Sequence, residues 1–272
     1  MANGTLGMVA CPILEDEMVY NLSTDAEEKN VFVLENEYCG SAKRKLSEAG
    51  IPFESLDESA FIDAGAPLPE GAYNVVIYMM DMGLHQEPED LGSAIKERLL
   101  GFQHRVDAVM LYYGLCGKGL EGIEEWGSEN LSVPITILKD AEGKVCDDCI
   151  AVPVGGTDNY LRLLKEYPGV MYLTPCVACN FDEFLNAMEL TRGIEGSGRD
   201  REEMLRMILE MADYRHALKI QTGLGDQDLF QAKAEEFCEK YNLELLYLEG
   251  DWVTPVVADR TYAEAKGFLN AG

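Results

Sequence analysis

Short apolar runs alternate with amphipathic stretches of helical length along most of this chain, the pattern of βαβ units that build a largely parallel sheet. Residues 5–10 (TLGMVA) predict a first strand, and residues 12–22 a helix with proline in its first turn, where the missing N–H costs nothing. Residues 31–34 predict a second strand, and residues 41–49 a helix closed by Gly50. Residues 74–80 and 107–113 read as strands on either side of a helix over 89–102, and the run DAVMLYY is apolar enough to be central. Residues 133–138 and 170–173 add strands around a helix over 157–166. The texture then changes. Residues 181–191 and 201–214 read as helices joined by a polar, glycine-bearing link, and a last βαβ unit follows over 217–221, 226–240 and 243–248. The expectation is an α/β fold with a doubly wound, largely parallel sheet and flanking helices, possibly in two α/β lobes. The link at 193–200 is the natural boundary. Residues 1–192 then form the α/β core, and residues 193–272 either complete the sheet or make a second lobe.

Composition adds little to that architecture but narrows the chemistry. At 272 residues, 47% hydrophobic and 26% charged, the chain can bury a real core. Its formal net charge is −27, from 49 acidic and 22 basic residues spread along the sequence. Such a field repels duplex nucleic acid and anionic membrane surfaces, so neither is expected as a partner. No basic-then-apolar leader opens the sequence and no apolar run nears the ~20 residues of a membrane span, so the expected location is cytoplasmic. In that setting eight cysteines read as metal ligands or redox groups more readily than as a disulfide framework.

Ligands of open α/β sheets bind beyond the carboxyl ends of the strands, and the sulfurs cluster at such places. Cys11 follows the first strand and Cys39 the second. Cys116 lies in the glycine-rich loop after the fourth, among Gly114, Gly117 and Gly119. Cys176 and Cys179 (CVAC) follow the strand at 170–173, and Cys146 and Cys149 (CDDC) form another CxxC pair. Two sulfurs so spaced can chelate one ion, and thiols near helix N-termini favour the thiolate that binds metal. Only Cys238, on a long helix, reads as plain core. His85 follows the third strand by a short turn and is a candidate ligand or general acid/base; His104 and His216 have no such placement. Three other readings stand beside the metal site. Buried cysteine also serves as a small hydrophobe, CVAC before a helix suits thiol–disulfide exchange, and the glycines at 114, 117 and 119 loosely resemble a phosphate cradle. Asp147 and Asp148 are placed as base or supporting groups, or as solvated surface.

The run Tyr113-Gly114-Leu115-Cys116-Gly117-Lys118-Gly119-Leu120 resembles the YGLCGxGL signature of the DUF1638 family of anaerobic bacteria and archaea. Cys11 after the first strand, Leu84-His85 with Pro88 and Leu91, and Asp148-Cys149-Ile150 followed by Gly155-Gly156 and Tyr160 are similar to other pieces of that pattern. The resemblance runs in order over most of the chain. It implies a core set of Cys11, His85, Cys116 and Cys149, suited to zinc or an iron–sulfur cluster. It also implies company with corrinoid-dependent methyltransferase systems, hence a corrinoid or methyltransferase protein as partner beside a small-molecule substrate. Cys146, Cys176 and Cys179 are this chain's additions; Cys176, Cys179 and Asp147 stand where many relatives carry Gly-Trp and a histidine. The expected function is a thiolate metal-site protein in anaerobic one-carbon or corrinoid-linked metabolism. The alternatives are a non-catalytic module handling metal or corrinoid, and a CxxC dithiol oxidoreductase.

Overall fold

A computed structural model describes residues 2–86, 88–181, 201–248 and 250–270. Its strands are β1 (Gly4–Ala10), β2 (Asn30–Glu35), β3 (Glu54–Asp57), β4 (Tyr73–Met79), β5 (Ala108–Tyr112), β6 (Ile135–Ile137), β7 (Val170–Leu173), β8 (His216–Ile220) and β9 (Glu244–Leu248). The helices are α1 (Glu15–Thr24), α2 (Gly40–Glu48), α3 (Glu58–Ile62), α4 (Pro88–Phe102), α5 (Ile123–Asn130), α6 (Thr157–Glu166), α7 (Pro175–Cys179), α8 (Arg201–Met211), α9 (Gln227–Tyr241) and α10 (Val256–Leu269).

The first six strands form one parallel sheet in the order β3-β2-β4-β1-β5-β6. β1, β4 and β5 lie at its centre and are buried almost throughout, as their unbroken apolar runs require of strands covered on both faces. The connection from β1 leaves toward β2 and the connection from β5 toward β6, so the chain diverges between these two neighbours. That divergence opens a crevice at their carboxyl ends, where ligands of such folds sit.

The last three strands make a separate parallel sheet, β7-β8-β9. One apolar cluster belongs to it alone, with Val154, Leu163, Leu218 and Ile220. Met171, Leu173 and Ala217 instead join the main core, so the small sheet is packed onto the large one. The chain then returns: α10 packs against β1, β5, β6 and α1. It is fastened there by Tyr262, whose hydroxyl meets that of Tyr73 at 2.9 Å and donates to Asp25 at 2.7 Å, and by Lys266, which pairs with Asp25 at 2.8 Å.

The α/β pattern predicted from the sequence is present, with differences that have local causes. β3 and α3 are short and acidic, and the edge strand exposes most of its side chains, so no periodic signal marks them. The first helix splits into a 3-10 turn at Pro12–Leu14 followed by α1. α5 and α10 were not expected; glycine within each weakens the helical pattern. The predicted helix at 181–191, beyond Phe181, and the boundary loop at 193–200 lie outside the described residues. Among the described residues no helix is long and apolar enough to cross a membrane.

Candidate metal centre

Three chain segments carry sulfur to the crevice between β1 and β5. Cys11 is the first residue beyond β1; its N–H donates to the carbonyl of Tyr112 at the end of β5 (3.2 Å), and its own carbonyl accepts from Leu14 as the 3-10 turn begins. Cys116 lies four residues beyond β5 in a tight loop. Cys116, Gly117 and Lys118 all take left-handed backbone, with φ of 45°, 64° and 81°, an arrangement that costs a non-glycine residue on the order of 1 kcal/mol. Cys149 arrives from farther off. After β6 the chain turns back through Lys139–Val145, and residues 146–148 run alongside the cysteine loop, with Leu115 N–H donating to the Cys146 carbonyl (2.8 Å) and Cys116 N–H to that of Asp147 (3.0 Å). Glycine is required at 114 for that approach, since a Cβ there would sit 2.8 Å from the Cys146 carbonyl oxygen and 2.8 Å from Asp148 backbone.

The sulfurs meet. Interaction with the neighbouring Cys149 side chain, with burial second, pushes the thiols of both Cys11 and Cys116 well above their usual range. Beside them the buried hydroxyl of Tyr113 has no hydrogen-bond partner among the described residues. Burial, then the charges of Cys11, Cys116 and Cys149, pushes its pKa well up. The Asp148 carboxylate closes a turn by accepting from the N–H groups of Ile150 (2.7 Å) and Ala151 (3.1 Å), and it also interacts with the Tyr160 side chain. Burial, followed by the charge of Cys149, raises its pKa to about 6.

Cys11, Cys116 and Cys149 border a cavity of about 460 Å³ between the large sheet and β7. Sulfur is the donor type that soft cations take, and the three segments supply two buried thiols, Cys11 and Cys149, and a half-buried one, Cys116. Among the described residues no group of three or more His, Cys, Asp or Glu side chains is placed so as to hold a metal ion; the three sulfurs border the cavity without forming such a group. His85 is in a 3-10 turn, Met82–Gln86, which leaves the carboxyl end of β4 beside β1; its side chain lies outside the described residues.

The other sequence candidates go elsewhere. Cys146 is fully buried just off the cavity, its thiol pushed up to about 12 by burial and then by the carboxylates of Asp140 and Asp148. α7 presents Val177 to the cavity, whereas Cys176 and Cys179 do not border it. Cys176 is buried beside Lys45, Glu15 and Asp16, and burial pushes its thiol well up, as it raises that of Cys179. The two CxxC pairs therefore do not frame one centre: only Cys149 of the four borders the cavity. Gly117 also borders it, but Gly119 is packed against Pro88, whose carbonyl oxygen would lie 2.6 Å from an added Cβ, so Gly114 and Gly119 face protein backbone and not an open phosphate cradle. Cys39 donates to the Asn36 carbonyl at 3.1 Å, and Cys238 is buried in the helix-packed core.

Residues 79–254 match the family model described as a protein of unknown function, DUF1638. The chain belongs to the DUF1638 family. The matched span holds Tyr113, Cys116, Asp148, Cys149 and Tyr160, while Cys11 lies outside it and is brought to the family segment only by the pairing of β1 with β5. No curated protein matches. The solved structure of a mutant N-acetyl-L-ornithine transcarbamylase complexed with PALAO aligns over 95% of this chain and 76% of that one, at 7% identity and a TM-score of 0.20, too slight a likeness to bear on fold or function.

Tyr113 and Tyr160 were not singled out as site residues from the sequence. Tyr113 sat in the apolar end of a strand and Tyr160 on an exposed-looking helix. The available signal was the residue next to a glycine–cysteine loop, which the strand's hydrophobicity concealed.

Proposed function

We propose that this protein is a thiolate metal-site protein in which Cys11, Cys116 and Cys149 hold zinc or an iron–sulfur cluster at a cavity that admits a small molecule. The observation that supports this reading most is the convergence of three sulfurs, from positions 11, 116 and 149, on the crevice between β1 and β5. Three protein sulfurs leave one position for substrate or for a fourth ligand, with His85 next in line by its place on the neighbouring strand end. When bound, zinc would supply a Lewis acid for a substrate thiol or water, and a cluster would supply electron transfer. The chain's own groups have separable roles. Asp148 fixes the turn that carries Cys149 and holds Tyr160 in place. It also stands ready to take or return a proton beside the sulfurs. Tyr113 donates to whatever group occupies the space between the thiols.

Anaerobic purification followed by elemental analysis tests the reading. About one zinc per chain, or iron with acid-labile sulfide and absorbance near the visible thiolate-to-iron band, is expected, and Cys116→Ser should lose the metal while Cys176→Ser keeps it. Full metal content in Cys116→Ser, or metal-free wild-type protein that reduces disulfides, overturns it.

A further inference from the structure

The cavity that the three sulfurs border has an aromatic wall. Tyr160, Tyr167, Tyr172 and Tyr214 all line it, and each is half-buried. Tyr160 and Tyr172 meet edge to face, with ring centroids 5.9 Å apart and planes at 68°. The remaining wall is largely aliphatic, and the one carboxylate on it is Asp148. Among the described residues no lysine, arginine or histidine lines the cavity.

This combination selects by charge and by hydrogen-bonding capacity. An anionic ligand would enter a space bounded by a half-buried carboxylate and three sulfurs with no cationic group to receive it among the described residues. A neutral apolar ligand would gain only from burial. A cation gains in addition from the negative faces of the tyrosine rings and from Asp148. The kind of cation follows from what Asp148 already does. Its carboxylate accepts from two backbone N–H groups, and the Tyr160 side chain interacts with it closely enough to lower its pKa. Both backbone bonds fall on Oδ1, so Oδ2 could take one N–H of a primary ammonium, while its other N–H groups would face the largely aliphatic and aromatic wall. A cation whose charge is wrapped in methyl groups asks for no hydrogen bond and presents an apolar surface to the aliphatic wall. At about 460 Å³ the space falls within the range of small-molecule sites, ~300–1,000 Å³.

We propose that the cavity binds a small quaternary ammonium compound, with the four tyrosines as its cage and Asp148 as its counter-charge. This rests on the same cavity as the metal-site reading and names the class of ligand that would sit beside the sulfurs.

The test is calorimetric titration of the full chain, purified anaerobically and assayed for metal in the same sample, with choline and with its uncharged carbon isostere 3,3-dimethylbutan-1-ol. Choline is expected to bind at least about tenfold more tightly, the scale of a desolvated cation–π site. Tyr160→Leu and Tyr172→Leu should erase that preference while leaving the isostere within a few-fold. Tyr160→Phe keeps the ring and the preference, and so guards against a merely structural loss. Equal or tighter binding of the isostere, no choline binding to the wild-type chain, or an undiminished preference in both leucine variants overturns the proposal. Metal without a choline preference removes the cage and leaves the metal site. A choline preference that persists in metal-free Cys116→Ser, with no metal in the wild type, removes the metal site and leaves the cage.

Discussion

Gly114→Ala isolates the contact that assembles the candidate site. Gly114 is not among the residues with positive φ, so alanine is free to adopt its backbone and only the close approach is at stake. The new Cβ would lie 2.8 Å from the Cys146 carbonyl oxygen and 2.8–2.9 Å from Asp148 backbone atoms, where ordinary contact begins near 3.4 Å. Neither neighbour is a flexible side-chain end; both are backbone. Residues 146–148 must therefore retreat by roughly half an ångström. That retreat stretches the hydrogen bonds from Leu115 to Cys146 (2.8 Å) and from Cys116 to Asp147 (3.0 Å) toward the limit of a useful bond. Two weakened hydrogen bonds at about 1 kcal/mol each, with overpacking of about 1–3 kcal/mol, give an expected destabilisation of about 3–5 kcal/mol. The same shift draws Cys149 away from Cys116, so metal retention should fall with stability. Urea unfolding followed by far-UV signal measures the first effect and elemental analysis the second. Gly40→Ala is the control: nothing lies within 4 Å of its added Cβ, and it opens α2, so it should be neutral or slightly stabilising. A Gly114→Ala protein that unfolds within about 0.5 kcal/mol of wild type and keeps its metal would refute the packing argument and the placement of the site with it.

Two further outcomes follow from buried charge. Lys45 pairs with Glu15 at 2.8 Å and Asp16 at 2.6 Å, both acids being almost fully buried, and although burial pulls its pKa down their charges hold it above the usual range; Lys45→Met strands both carboxylates and should cost about 3–5 kcal/mol near neutral pH in urea unfolding, less in acid, and a loss below about 1 kcal/mol would show the pair to be dispensable. Burial, then the charge of Asp16, raises Glu17 from 4.5 to about 8. Because the folded pKa is the higher one, its stabilising contribution is complete below about 4.5 and is lost as pH rises to about 8, with a slope of at most about 1.4 kcal/mol per pH unit. The difference in stability between Glu17→Gln and wild type should grow across that window, and a difference independent of pH would refute the assignment.

Much of the fold was legible because its causes are local. Fully apolar strands such as Val109–Tyr112 and amphipathic stretches such as α6 declare themselves by period and burial, and parallel pairing follows from their alternation. β3, α5 and α10 were not legible, because edge exposure or internal glycine blurs the pattern. The division into a six-stranded and a three-stranded sheet is likewise set by pairing partners that lie far along the chain: β7 could have extended the first sheet as far as its own residues say, and it is β8 and β9 that draw it into the second.

The same boundary runs through the site. By itself the sequence determined that sulfur would gather beyond the strand ends, since Cys11 follows β1 directly, Cys116 lies in the loop that leaves β5, and those strands can only be buried. It also supplied the glycine–cysteine loop that lies within the segment matching the family model. Only the tertiary structure decided which sulfurs meet. Spacing treats Cys146–Cys149 and Cys176–Cys179 alike, yet one residue of the four reaches the cavity. The loop at 114–116 and the returning segment at 146–148 approach through a missing Cβ, while a short helix turns its valine inward and its cysteines toward Lys45. Side-chain direction and long-range approach are properties of packing, and no local pattern encodes them.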